Sequence, residues 1–425
     1  MKLNPYWLDT AEPSGDYRRT PVPENVDVAI IGAGFTGLSA ALEFAQQGAS
    51  VAVFERHTVG WGASGRNGGM ATTGLAIGFS TAVKRYGATR AVEMFQEYND
   101  AIDSIEKLVH DNGIDCDYKR DGKLSLAFHK SHYEGFLRSQ EKMAALADHH
   151  VTVIPKSEIH SEIGTDFYQG AMLDPLGAGL HVGKFVHGLA GAAAAAGADI
   201  CEEAGVTELK KHSGTVHDVH TTRGITRAKQ VLVATSGYTG NVTPWLQRRV
   251  IPVGSFIICT EPLPEDVINR ILPNRRMASD SKMLCYYFRI TPDNRLLFGG
   301  RARFALSSPD SDVKSAEILR KAMLELFPYL SNAKVDYIWG GLVDLSMDQM
   351  VHAGQHDGLY YSLAYSGHGV QMAAHMGKRM AHYMAGYKSA NIWEDLKNPP
   401  VPGHFGPPWF LPFIGGAAKI IDRFS

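Results

Sequence analysis

The sequence predicts an α/β fold in which a discontinuous, doubly wound domain is interrupted by a β-rich part of α+β character. Three observations carry this. A strand–glycine turn–helix–strand unit occupies residues 26–56. Residues 250–301 change to strand and hairpin patterns, and strand, glycine turn and helix return near the end of the chain, around 359–371. Such alternation is what an insertion into an αβ layer leaves behind.

The first unit fixes the kind of layer. Val26–Ile31 is a buried strand, and Gly32-Ala-Gly34-Phe-Thr-Gly37 follows it. In this pattern Gly32 permits the tight turn, Gly34 lets the backbone approach a pyrophosphate, and Gly37 lets the helix pack close on the strand. Leu38, Ala41, Leu42 and Ala45 recur at helical spacing. The second strand, Val51–Phe54, ends in Glu55, 18 residues beyond Gly37 and placed to accept ribose hydroxyls. The helix N-terminus offers free N–H groups to the phosphates. Together these parts predict a Rossmann-like dinucleotide site.

The remaining elements follow in order. Residues 1–25 form an irregular arm with Tyr6, Trp7 and several prolines, and a glycine loop runs from Gly60 to Gly78. Helical stretches are expected over 80–112 and 132–148, with a strand over 123–128 between them. A helix over 183–196 leads into a strand over 198–203, then strands over 206–211, 216–221 and 230–234, the last closing on Thr235-Ser-Gly237-Tyr238. A strand over 255–260 precedes a hairpin of 284–290 with 295–300 around Pro292-Asp-Asn294. A helix over 315–326, a strand before Trp339-Gly-Gly341, a strand over 359–365 and a helix after Gly367-His-Gly369 complete the reading. The expected dinucleotide domain takes 1–80, 150–245 and 335–425, and the expected substrate domain 81–149 and 246–334.

At 425 residues, with 44% hydrophobic and 20% charged residues, the composition is that of a globular protein of two or three domains. A net charge of −2 gives no reason to expect nucleic acid or an anionic membrane as partner. Cys116, Cys201, Cys259 and Cys285 lie far apart without metal spacing, which predicts reduced thiols in a cytoplasmic protein and no metal site. The polar N-terminus shows no signal peptide, and the apolar tail 408–421 is too short and broken to span a bilayer, so it is expected to dock on the fold.

The first fingerprint serves NAD and FAD alike, but three later loops are built to approach one large ligand. They are Gly60-Trp-Gly62-Ala-Ser64-Gly-Arg66-Asn67-Gly68-Gly69, Ala234-Thr-Ser-Gly237-Tyr238, and Ser366-Gly-His-Gly-Val-Gln371. With Tyr6-Trp7, Tyr287-Phe-Arg289 before Asp293-Asn-Arg-Leu-Leu-Phe-Gly-Gly300, Trp339-Gly-Gly341 and Pro408-Trp-Phe-Leu-Pro412, the chain resembles the FAD-dependent amine and amino-acid oxidases of the D-amino-acid-oxidase group. Within that group it is most similar to gamma-glutamylputrescine oxidoreductases. The resemblance implies a flavin site of Gly32, Gly34, Phe35, Thr36 and Gly37 at the pyrophosphate, Glu55 and Arg56 at the ribose, and Val206 at the adenine. It further implies Ser64, Arg66, Asn67 and Gly68 along the ring, and Gly62, Ala63, Thr235, Gly237 and Trp339 among the other cofactor-binding residues. Gly367, His368, Gly369, Val370 and Gln371 would sit at the pyrimidine edge, where a helix N-terminus favours negative charge.

The implied reaction passes a hydride equivalent from the carbon beside an amine nitrogen to the flavin, with imine hydrolysis and return of the electrons to O2 as H2O2. Alternatives are a dehydrogenase that reduces a quinone or carrier, and a catalytically silent flavin-binding subunit. Some relatives tether the flavin through a cysteine between Trp-Gly-Gly and Gly-His-Gly. None lies between Trp339 and His368, so FAD is expected to be non-covalent. A lysine that assists oxygen in some relatives has no counterpart on 296–300. Tyr287 and Arg289 share one strand face. There they either face the substrate, with Arg289 on its carboxylate, or pack, with Arg289 on an acid of the protein. Arg66 either meets the ligand or fixes its loop by a salt bridge. Tyr286, Phe288 and Trp339 form either an aromatic cage for a cationic amine or ordinary core. His368 places the ring edge or simply packs.

Overall fold

The computed structural model describes residues 1–300, 308–406 and 408–411. Two large sheets organise it. In the first, the strand order is His352–His356, Leu359–Leu363, Gly224–Val233, Asn25–Ile31, Val51–Phe54 and Asp199–Cys201. The five from Leu359–Leu363 to Asp199–Cys201 are parallel. Val206–Ser213 and Val216–Thr221 extend this sheet as an antiparallel flap from Gly224–Val233. Parallel strands are covered on both faces, and Ala29, Ile30, Ala52, Val53, Val231 and Leu232 are accordingly all but inaccessible. The Phe35–Gln46 helix lies against this sheet between Val182–Ala195 and Gly369–Met384. A Cβ on Gly377 would come within 2.3 Å of the Thr36 carbonyl oxygen, so glycine is what lets the first and last of these helices touch.

The second sheet runs Val335–Leu345, Ile251–Thr260, Leu296–Gly300, Tyr286–Ile290, Met277–Asp280, Lys123–Leu126, Gly170–Asp174 and Thr152–Pro155. Only the Lys123–Leu126/Met277–Asp280 pairing is parallel. One face buries Leu124, Leu126, Ala278, Phe288, Phe298 and Ile338 under the Pro309–Leu326 helix. Alternation then sends Lys123, Ser125, Ser279 and Tyr287 to the other face, which looks toward the first sheet.

The expected elements occur, with instructive differences. Thr152–Pro155, Gly170–Asp174 and Val335–Leu345 fall in ranges expected for the dinucleotide domain but pair into the second sheet. Together with Met277–Asp280 and His352–His356, the first two were not anticipated, because they are short and each contains Gly, Pro, Asp or His. The strand expected before Trp339 runs on through Gly340-Gly341 to Leu345, and a Cβ on Gly341 would meet Arg66 Cβ at 2.9 Å. The helix expected from 315 begins at Pro309, behind a Ser308 cap that accepts from Ser311 N–H. The tail motif beyond Leu411 lies outside the described residues. Among the described residues, no helix is long and apolar enough to cross a membrane, and no group of His, Cys, Asp or Glu could hold a metal.

Candidate flavin and substrate site

A cavity of about 770 Å³ lies between the two sheets. That is the upper part of the range for small-molecule and cofactor sites. One end is the glycine turn. Gly32 has φ +106°, and an added Cβ would stand 2.8 Å from the Ala234 carbonyl oxygen. A Cβ on Gly34 would stand 2.8 Å from Ser64 Oγ, and one on Gly37 would stand 2.0 Å from the Gly32 carbonyl oxygen. The backbone thus meets the Ser64 side chain at Gly34, which also lines the cavity, and is closed against the strand at Gly37. Ser64 Oγ accepts from Phe35 N–H at 2.9 Å, tying the second glycine loop to the helix start. Glu55 accepts from Ala33 N–H at 3.0 Å through one oxygen and from His57 N–H at 2.9 Å through the other. This holds its carboxylate at the cavity edge, beside Arg56 and Val206.

The loop of residues 60–69 is braced from within. Arg66 donates to the Trp61 carbonyl at 2.6 Å and the Gly340 carbonyl at 3.1 Å, and its guanidinium lies 4.7 Å from the Trp61 ring centre. Asn67 donates to the carbonyls of Ala63 and Ser64 and accepts from Gly69 N–H. Opposite, Ala364, Ser366 and Gly367 take positive φ values of 66°, 51° and 91°, and His368 caps the Gly369–Met384 helix. Asp344 holds this turn by accepting from Ala364 N–H at 2.7 Å and Ser236 Oγ at 2.8 Å, while burial pushes its carboxyl up to about 6.

The second sheet roofs the cavity. The Tyr287 ring covers Gly299 and Gly68, where added Cβ atoms would approach it to 2.4 and 3.0 Å, and its hydroxyl shares a 2.9 Å hydrogen bond with Ser255 Oγ. Lys123, Ser279, Asp280, Lys282 and Cys285 line the same wall. Asp280 is enclosed beside Lys282 Nζ at 3.1 Å, and burial raises its carboxyl to about 6 against the lysine's pull.

A cavity with a glycine cradle and helix N-terminus at one end, a carboxylate at its edge and a second helix N-terminus farther along has the outline of an extended dinucleotide. The model of the FAD-dependent oxidoreductase family matches residues 27–383. The chain belongs to that family. Two relatives of this flavoprotein are 33% identical to it. The probable oxidoreductase OrdL of Haemophilus influenzae aligns over 94% of this chain and 92% of its own length. The gamma-glutamylputrescine oxidoreductase of Escherichia coli aligns over 89% and 88%. Among solved structures, glycine oxidase from Geobacillus kaustophilus superposes with a TM-score of 0.72 at 21% identity, covering 91% of this chain and 99% of that one.

Within the flavoprotein cavity the structure brings together Gly32, Gly34, Phe35, Thr36, Glu55, Arg56, Gly62, Ala63, Ser64, Arg66, Asn67, Gly68, Val206, Thr235, Tyr287, Gly367, His368, Gly369 and Val370. Gly37, Gly237, Arg289, Trp339 and Gln371 do not line it. Trp339 is buried and donates to the Arg66 carbonyl at 3.0 Å, so it supports the loop from behind. Gln371 turns away and donates to the Thr72 carbonyl. Gly237 packs on Leu342.

Arg289 needs a fuller correction. It shares the face of Tyr287 but lies two residues deeper, where its guanidinium donates to the carbonyls of Gly69 and Leu180. It reaches neither the cavity nor a carboxylate. Arg66 likewise fixes its loop through carbonyls and Trp61, without a salt bridge. Nor do the aromatics form a cage: Phe288 stacks on Phe298 in the core, Tyr286 leans on Phe298 and Lys282, and Trp339 is covered. Sequence reasoning passed over Lys123, Asp280, Lys282 and Asp344. For Lys123 a signal existed, since Lys-Leu-Ser-Leu alternates and its polar face had to look at something other than core.

Proposed function

We propose that the chain oxidises the C–N bond of an amine or amino acid, with a gamma-glutamylputrescine-like amine as favoured substrate, non-covalently held FAD and O2 as electron acceptor. The observation that carries the reading is the single cavity joining the glycine cradle to the Tyr287 face of the second sheet. The resemblance to the Escherichia coli relative supports the choice of amine. When bound, FAD supplies the two-electron acceptor for a hydride equivalent from the carbon beside the amine nitrogen. The imine product then hydrolyses, and O2 takes up the electrons as H2O2.

The chain's own part is to bind, orient and enclose. Gly32, Gly34 and the N-terminal end of the Phe35–Gln46 helix would receive the pyrophosphate, and Glu55 the ribose. The helix N-terminus at Gly369 would favour negative charge at the ring edge. Tyr287, pinned by Ser255, forms a fixed wall against which the amine is oriented. We assign the first sheet to the cofactor domain and the second to the substrate domain, and place the protein in the cytoplasm on the strength of its four dispersed free cysteines.

An anaerobic flavin-bleaching screen against polyamines, gamma-glutamyl amines, N-methyl amino acids and D-amino acids tests the reading, with peroxide measured in air. Bleaching by a gamma-glutamyl amine with peroxide release is expected. Bleaching without peroxide would transfer the reading to a dehydrogenase, and no bleaching by any amine would end it.

A further inference from the structure

The cavity wall carries two lysines, and they differ. Lys282 is committed, with Nζ 3.1 Å from Asp280 and 3.7 Å from the Tyr286 ring centre. Lys123 has no hydrogen-bond or ion-pair partner among the described residues, although it lines the same cavity. Its strand neighbours do not answer it. Asp174, opposite it in register, is occupied by Thr73 Oγ1 at 2.5 Å, His149 Nε2 at 2.7 Å and Leu176 N–H at 3.1 Å. Cys285 is the other titratable group acting on it. Burial alone lowers the Lys123 pKa, with Asp174 pulling the other way. A half-buried cation without a partner is costly. One that faces a ligand cavity is paired when an anionic ligand enters.

Resting on the proposed function, we propose that Lys123 receives a substrate carboxylate, so that the preferred amine carries a carboxylate remote from the carbon that is oxidised. The register sets the separation. Tyr287 pairs with Ser279, Ser279 with Ser125, and Lys123 stands two residues along from Ser125. Two strand spacings and two residues put the Lys123 and Tyr287 Cα atoms roughly 12 Å apart on one face. An amine held at Tyr287 and a carboxylate held at Lys123 therefore belong to an elongated molecule. The role first expected of Arg289 passes to a residue that does look into the cavity.

Holoenzyme titrated with straight-chain ω-amino acids of five to eight carbons, each beside its terminal carboxamide, decides this. Binding is read from the shift of the flavin absorption band, without turnover. In the wild type the best carboxylate should bind about tenfold or more tighter than its carboxamide. Lys123→Met should bring the ratio to near one, and Lys123→Arg should keep a preference. If Lys123→Met does not take up FAD, Lys123→Gln serves the same arm. A wild-type ratio near one, or a ratio that survives loss of the cation, overturns the inference. Failure of the underlying reading shows separately, as flavin that no amine bleaches.

Discussion

An enclosed guanidinium without a carboxylate is tolerated at Arg289 because backbone carbonyls answer it. Gly69 and Leu180 accept from Nη1, and a Cβ on Gly179 would stand 2.8 Å from Nη2. Burial lowers its pKa to about 10, so it stays charged at neutral pH. It joins the flavin loop to the residues leading into the Val182–Ala195 helix. Arg289→Met leaves the Leu180 carbonyl unanswered and the Gly69 carbonyl with only the Leu180 N–H, and should cost about 1–3 kcal/mol in urea unfolding, with the amine KM moved no more than kcat. A selective rise in KM would return the residue to the substrate. Lysine should not rescue, because one ammonium does not reproduce the planar fork. The shared face of Tyr287 and Arg289 was legible from their spacing. Depth along the strand was not, because it depends on where the 60–69 loop crosses the sheet. The tight turn at Gly32 and the close helix–strand packing at Gly37 were legible because each has a steric meaning that survives without tertiary context. Trp339 and Gln371, whose meaning depends on which way a large side chain turns, were not.

The Val182–Ala195 helix starts from a histidine. His181 Nδ1 accepts from Lys184 N–H at 3.2 Å, so the proton sits on Nε2, which donates to Thr10 Oγ1 at 3.0 Å. Burial first, and Lys184 second, bring its pKa down from 6.5 to about 4. The folded state thus binds this proton more weakly than the unfolded chain. Its contribution is present above pH 6.5 and is lost as pH falls toward about 4, up to about 3 kcal/mol. His181→Asn keeps a capping acceptor and removes the titration. The unfolding free energy of wild type relative to His181→Asn should therefore fall between pH 7 and pH 4.5, and a constant difference would refute the assignment. Helices and parallel strands were legible here through their periodicity. The edge strand His352–His356 was not, because alternating His, Ala, Gly and Gln carries no β signal until Leu359–Leu363 offers a partner. Ser308-Pro309 is a readable helix start that went unread.

Across the whole molecule, the cavity takes its floor from one sheet and its roof from the other, so a bound dinucleotide touches both and stabilises their joint arrangement. Acid precipitation should leave all flavin in the supernatant. FAD restored to the stripped protein at 100 times its Kd should raise stability by about 2.7 kcal/mol, read as a rise in Tm. Colour that stays with the pellet would contradict non-covalent binding. The alternation of patterns along the chain showed that one sheet interrupts the other. It did not show that Thr152–Pro155, Gly170–Asp174 and Val335–Leu345 belong to the interrupting one, because a strand's partners lie outside its own sequence. The N-terminal arm carries this furthest. Lys2 N–H donates to the Asp336 carbonyl, the Tyr6 hydroxyl donates to Asp293 at 2.6 Å, and Trp7 Nε1 donates to the Asn67 carbonyl. A ribosome makes Tyr6 287 positions before Asp293, and Lys2 more than three hundred positions before Asp336. Throughout that interval Tyr6 lacks its carboxylate partner, whereas the Asn67 carbonyl that Trp7 meets follows after 60 positions. The arm can gain these two bonds only after Asp293 and Asp336 are made, as a clasp across segments far apart in the chain.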